Sequence, residues 1–323
     1  MGSPRIDAIA ALASTTGGIV TTAEVVAAGL DPRVAERQVR AGSWQRPARG
    51  VYVTRAADLS GLELGRVARR FAGERVVVSG LVALRELELR WLPASDDVLC
   101  LVAPEVRTVS SRRVVLRRTK ELAQLQTWWR GGVELAPVQR AVVDAARETP
   151  GLRDVRGIVL GAVADNWADV DSLDAVLATT QRNGSGLARR AIEDARRGAA
   201  SPPEAELVDE LLGCGVPFYV NPQLWLDGRL LGCTDVYLPG LGIGGEVESV
   251  ERHGSDDDTE TTYDRHERVT APGLELVHLS VRRIRRDVTE AAAHLLSRAR
   301  MRRGMRQPES PGLVVVPRGP LLR

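Results

Sequence analysis

Apolar residues recur at helical spacing from Arg5 to Ala13, and two shorter helical patterns follow. In the first, Thr21 or Thr22 caps TAEVVAAG, Glu24 sits early in the opening turn and Gly29 stops it. In the second, Asp31 caps DPRVAERQVRAG, with Pro32 at the favoured first position and Gly42 at the end. Val34, Ala35 and Val39 can face inward, which leaves Arg33, Arg37 and Arg40 as a stripe on the outside. WQRPARGVYV then reads as a hairpin carrying Trp44, Arg46 and Arg49. Helix, helix, basic helix and basic hairpin predict a winged helix-turn-helix over residues 1–55, with those five arginines toward DNA.

From residue 56 to 200 helical and strand patterns alternate. GLELGRVARRFA, LVALRELEL, APVQRAVVDAARE and SLDAVLATTQ read as helices, and RVVVSG, DVLCLVAP and RRVVLRRT as strands. The order predicts a mixed α+β domain that ends in the linker-like stretch Gly198 to Pro203. It shows no nucleophile, metal cluster or glycine-rich phosphate loop. Trp128, Trp129 and Trp167 read as core or interface aromatics.

The last predicted domain, residues 201–297, opens with Pro203 and the helix EAELVDELLGCG. Next come the extended run VPFYVNPQLWL, a turn at Asp227-Gly228, a strand through LGCTDVYLP and another through LGIGGEVESV. A polar loop, a helix over TETTYDRHERVTAPG, the strand LELVHLS and a basic helix complete it. If the Asp235 and Glu246 strands are neighbours, period-two alternation sets Glu246 and Glu248 on one face beside Asp235. Three carboxylates on one face repel, and a hard dication such as Mg²⁺ relieves that repulsion. The pattern therefore predicts metal-dependent phosphodiester hydrolysis. His278 reads as a core or sheet-face histidine rather than a ligand, and His294 as structural or exposed. Residues 298–323 read as a basic tail, either a loose arm touching phosphates or plain disorder.

Composition adds bounds. A chain of 323 residues, 44% hydrophobic and 27% charged, has material for two or three ordinary globular domains. The net charge of +2 does not by itself announce a nucleic-acid binder, so the placement of arginine matters more. VRRIRRD and SRARMRRGMR are arginine-rich, Asp256-Asp257-Asp258 is an acidic knot, and Lys120 is the sole lysine. Cys100, Cys214 and Cys233 lack metal-ligand spacing and read as reduced, mostly buried thiols. No apolar run approaches the roughly 18 residues of a membrane span, so a cytoplasmic protein is expected.

Two resemblances sharpen these expectations. TTGGIVTTAEVVAAGLDPRVAERQVRAGSWQRPARGVYV resembles the winged-helix domain of AbiEi-type antitoxins. VVVSGLVALRELEL and ELAPVQRAVVDAAR resemble the region after that domain in actinobacterial relatives. The resemblance implies autoregulatory binding of double-stranded DNA and a cognate toxin as a second partner. SPPEAEL, TDVYLPGLGIGGEVES and YDRHERVTAPGLELVHLS resemble the very-short-patch-repair branch of the PD-(D/E)XK endonucleases, with an α-β-β-β-α-β core. That resemblance implies Asp235 and Glu246 as ligands of Mg²⁺ or Mn²⁺ and Glu248 at the third motif position. It further implies Glu204 as auxiliary carboxylate, His253 as proton shuttle, and Arg268, paired in the motif with Asp264, as a stabilising cation. Glu248 stands where Lys or Asp is usual and Ser249 where Gly is usual. Two readings stay open: a DNA endonuclease, or a non-catalytic regulator carrying a degenerate nuclease fold.

Overall fold

The computed structural model describes residues 11, 13–14, 17–73, 75–180, 183–248, 269–270, 273–305 and 309–323. The chain forms two compact units, Met1–Pro150 with Asp171–Ser185, and Gly151–Val170 with Gly186–Arg323.

The first unit begins with β1 (Ile19–Thr21), α1 (Thr22–Ala27), α2 (Arg33–Arg40), β2 (Gln45–Ala48) and β3 (Val51–Val53). Thr21 and Glu24 form a reciprocal capping box that starts α1. Pro32 is the N-cap of α2, and Asp31 just before it accepts the Arg33 N–H at 2.8 Å. Strand β3 lies between β1 and β2, antiparallel to both, and completes a winged helix whose core holds Val20, Val25, Leu30, Ala35, Trp44 and Tyr52.

The rest of the unit contains α3 (Gly61–Ala72), β4 (Val77–Ser79), α4 (Gly80–Arg85), β5 (Val98–Val102), β6 (Val114–Arg118), β7 (Trp128–Arg130), β8 (Val133–Leu135) and α5 (Val138–Glu148). The strands make one mixed sheet in the order β6-β5-β4-β8-β7. A capping box between Ser60 and Glu63 starts α3, and Gly73 at φ 70° ends it. Under the sheet, the Ser79 hydroxyl donates to Asp144 at 2.7 Å and Arg140 pairs with the same carboxylate at 2.9 Å. Burial pushes the Asp144 carboxyl above its usual range, against the pull of Arg140. Two of the tryptophans read as core or interface aromatics are at the surface. Trp129 is 59% exposed with the Arg69 guanidinium over its ring, and Trp167 of the second unit is 40% exposed.

The second unit draws on helices that precede the Gly198–Pro203 stretch. Within it, α6 (Leu152–Ala164) packs on α8 (Gly186–Arg196); α7 (Val170–Thr179) lies almost wholly in the first unit. Arg156 of α6 pairs with Asp194 of α8 at 2.8 Å and also with Asp209 of α9 (Pro202–Leu211). Arg156 and Asp194 are both buried, so removing either would weaken the compensation of a buried charge. The chain continues through β9 (Tyr219–Val220), β10 (Gln223–Leu226), β11 (Arg229–Cys233), β12 (Val236–Leu238), β13 (Ile243–Glu248), β14 (Glu275–Ser280), α10 (Val281–Arg286), α11 (Val288–Arg303) and β15 (Leu313–Val316).

These strands form two sheets. One has the order β14-β13-β12-β9, with β13 antiparallel to β12 and parallel to β14. The other has the order β11-β10-β15. The single strand expected through Asp235 is thus two strands in two sheets, and the chain crosses between them at Thr234 and Asp235. One face of the four-stranded sheet packs on α9 and α11 through Leu207, Val208, Val236, Val277, Leu279 and Leu295. The other face meets the smaller sheet through Leu224, Tyr237 and Leu276.

Residues 309–323 are part of this fold, not a loose arm. Strand β15 pairs with β10 over four residue pairs. The Tyr237 hydroxyl and the Gly240 N–H both donate to Glu309, and Leu322 exchanges backbone hydrogen bonds with Phe218 at 3.0 and 3.1 Å. Composition alone hid this, because a short apolar strand beside arginines resembles a solvated tail. The cysteines also divide: Cys100 is buried, its thiol pushed up by burial, whereas Cys214 is exposed. No helix among the described residues is long and apolar enough to cross a membrane. Truncation before Glu309 is expected to lower the denaturant stability of the second unit by more than about 2 kcal/mol, since several ladder bonds of about 1 kcal/mol each are lost. An unchanged unfolding midpoint would contradict the integral role of β15.

Candidate functional site

On α2 the burial pattern separates two faces. Val34 and Ala35 are buried, while Arg33, Arg37 and Arg40 are exposed. The helix is held by Glu36, which accepts from the Tyr52 hydroxyl at 2.9 Å and pairs with Arg46 at 2.6 Å. Those partners, Tyr52 first, keep the Glu36 carboxyl below its usual range. Arg46 therefore ties the wing to the helix. Arg49 is exposed at the wing turn, where its backbone N–H donates to Ser111 at 2.9 Å. Four of the five arginines expected at DNA are thus displayed, and the fifth orients the helix that displays three of them.

The second unit carries the acidic face. Val236 opposes Gly245 across β12 and β13, so Asp235 is next in register to Glu246 as β12 begins. Glu246 and His278 are direct partners in the parallel pair, as are Glu248 and Ser280. Alternation then puts Glu246, Glu248 and His278 on one face. One potential ligand atom from each lies within 4.8 Å of the other two. His278 Nδ1 is 2.6 Å from Glu248 Oε1 and 4.0 Å from Glu246 Oε2. Glu246 is 5% exposed, and Glu248 and His278 face outward.

Asp235 and Glu204 have definite places. Asp235 Oδ2 accepts the Val247 N–H at 2.6 Å, so this carboxylate fastens the start of β12 to β13 between the two glutamates. It is not one of the three mutually close groups. Glu204, in the first turn of α9, accepts from Ala200 N–H at 2.9 Å, the Ser201 hydroxyl at 2.7 Å and Asn221 Nδ2 at 2.8 Å. The Asn221 N–H in turn donates to the Asp235 carbonyl at 2.9 Å. Glu204 therefore braces the backbone at Asp235 through Asn221. His253, Asp264, Arg268 and the acidic knot at 256–258 lie outside the described residues.

Local spacing does not predict one participant. His278 joins the carboxylates because β14 runs parallel to β13, a long-range pairing that local spacing does not reveal. The available signal was alternation within LELVHLS, which sets His278 opposite Val277 and Leu279. The basic α10 follows that strand directly, with Arg282, Arg285 and Arg286 exposed within two turns of Ser280. A cationic surface thus borders the acidic face.

Residues 7–54 match the family model described as transcriptional regulator, AbiEi antitoxin. That stretch is thus similar to an AbiEi-type regulator domain. No curated protein matches the chain. Among solved structures, the RV2827C protein from Mycobacterium tuberculosis is similar at 18% identity and a TM-score of 0.39, over 61% of this chain and 78% of that chain.

Gly244 decides how closely the acidic strand can be approached. A Cβ there would lie 2.9 Å from both Leu276 Cδ2 and Thr234 Cγ2. Gly244→Ala is expected to destabilise the second unit by about 1–3 kcal/mol through overpacking, read by chemical denaturation. A variant as stable as the parent would contradict this close packing.

Proposed function

We propose that the protein is a DNA-binding transcriptional regulator that docks duplex DNA through α2 and its wing. The observation that carries this reading is the exposed Arg33, Arg37 and Arg40 stripe inside the segment matching AbiEi-type regulators. A helix of this kind lies in the major groove, where guanidinium forks bind guanine edges and phosphates. Arg49 reaches the flanking backbone from the wing, and the Glu36–Arg46–Tyr52 cluster keeps helix and wing in fixed relation. A cognate toxin belongs to the same reading as protein partner. Arg37→Ala is expected to weaken binding to the protein's own promoter by about 1–3 kcal/mol and to lower the salt dependence, in footprinting across a salt series. Equal affinity of parent and variant for every duplex would overturn the docking surface.

The acidic face favours a second activity: divalent-cation-dependent hydrolysis of DNA, with a fold of the PD-(D/E)XK kind. The donor set fits a cation, since carboxylate oxygens of Glu246 and Glu248 and the His278 nitrogen already cluster. Glu246 and Glu248, with Asp235 beside them, are the residues that would hold Mg²⁺ or Mn²⁺. A bound dication supplies electrophilic assistance to the phosphoryl group and neutralises developing charge. The chain's own groups do the rest. Asp235 and Asn221 fix the register of β12, and the arginines of α10 bind the phosphate backbone alongside. His253 as proton shuttle and Arg268 as cationic stabiliser complete this proposal. Supercoiled plasmid incubated with Mg²⁺ or Mn²⁺ is expected to be nicked by the parent and left intact by Asp235→Ala and Glu246→Ala. Equal nicking by both variants would remove the acidic face from the reaction.

A further inference from the structure

We propose that His278 is a metal ligand, and that the site it forms with Glu246 and Glu248 selects a first-row transition dication, such as Mn²⁺ or Zn²⁺, over Mg²⁺. The inference rests on the hydrolytic reading only in taking this face as a cation site. The identity and placement of the donors carry it. Mg²⁺ requires near-octahedral oxygen coordination and binds through one or two carboxylates with several waters. An imidazole nitrogen adds little for that ion, but it suits the transition metals, whose affinities rise through the first row toward copper.

The fold makes the nitrogen a built-in donor. Glu246 and His278 are register partners on adjacent parallel strands, so their side chains leave the sheet side by side. His278 Nδ1 lies 4.0 Å from Glu246 Oε2 and 2.6 Å from Glu248 Oε1, and a cation replaces that contact with two bonds to the same atoms. One Asp235 oxygen, Oδ2, accepts the Val247 N–H between the two glutamates. Beside this face, Thr234 is 1% exposed and packs its Cβ and Cγ2 toward the Gly244 position. Along β14, Leu276 is covered by the smaller sheet, whereas His278 and Ser280 are exposed beyond it. His278 and Glu248 therefore present their donor atoms toward solvent.

The experiment measures metal binding to the full-length protein without DNA. Calorimetric titrations with MnCl₂, ZnCl₂ and MgCl₂ give affinities, and pulsed electron paramagnetic resonance of the Mn²⁺ form reports ¹⁴N coupling. The parent is expected to bind Mn²⁺ and Zn²⁺ at least about tenfold more tightly than Mg²⁺ and to show the nitrogen coupling. Loss of a ligand should cost at least the roughly 10–100-fold of a lost outer partner. His278→Gln should therefore weaken Mn²⁺ by that much, abolish the coupling and leave Mg²⁺ affinity within about twofold. His278→Asn serves as a second variant, with circular dichroism reporting its fold. Mg²⁺ binding as tight as Mn²⁺, no coupling in the parent, or coupling that persists in both variants overturns the inference. Nitrogen-coupled Mn²⁺ without plasmid nicking would uphold this site and defeat the hydrolytic reading. Nicking supported by Mg²⁺ with no nitrogen coupling would do the reverse.

Discussion

The second unit depends on how tightly three strands close around Gly244 and Gly245. Strand β13 takes an antiparallel neighbour on one side and a parallel neighbour on the other, while Leu295 of α11 stands 3.3 Å from where a Gly245 Cβ would be. Side chains on those two residues would push the strand away from both layers. Their absence lets the next residue, Glu246, be 5% exposed and still in register with His278. A buried carboxylate is costly unless its surroundings compensate it. The packing that buries Glu246 also brings it a histidine and a second glutamate.

Much of the first unit was legible because its punctuation is local. Thr21 with Glu24, Asp31 with Pro32, and Ser60 with Glu63 are signals contained in one turn of helix, and each marks a helix start in the structure. The hairpin of β7 and β8 carries an equally local signal. Gly131 and Gly132 adopt φ of 57° and 81° between WWR and VEL, a glycine pair of the sort that two-residue hairpin loops require. For Trp129, read as core or interface, the structure gives a surface place with a cation over the ring.

The candidate site was half legible. Period-two alternation was enough to set Glu246 with Glu248, and the register of β12 brings Asp235 to the same end of the sheet. What alternation cannot give is the partner across a parallel pair, because 26 residues separate β13 from β14. His278 entered by that route. Nor could spacing show that LGCTDVYLP is divided between two sheets, since both halves are apolar and extended. Glu204 illustrates a third limit. Its position at a helix start suited an auxiliary carboxylate, yet the same position made it a capping residue with three donors around it.

The crossing at Thr234 and Asp235 links distant parts of the second unit. Strand β11 leads into the crossing from a sheet that β15 completes, and β12 leaves it toward the acidic face. A lever is thereby built into the backbone: strain applied to the C-terminal strand passes through β10 and β11 to the residue that anchors Val247. Fusions or binding partners that tug on residues 313–316 would accordingly change the alignment of side chains almost seventy positions earlier, without touching any of them.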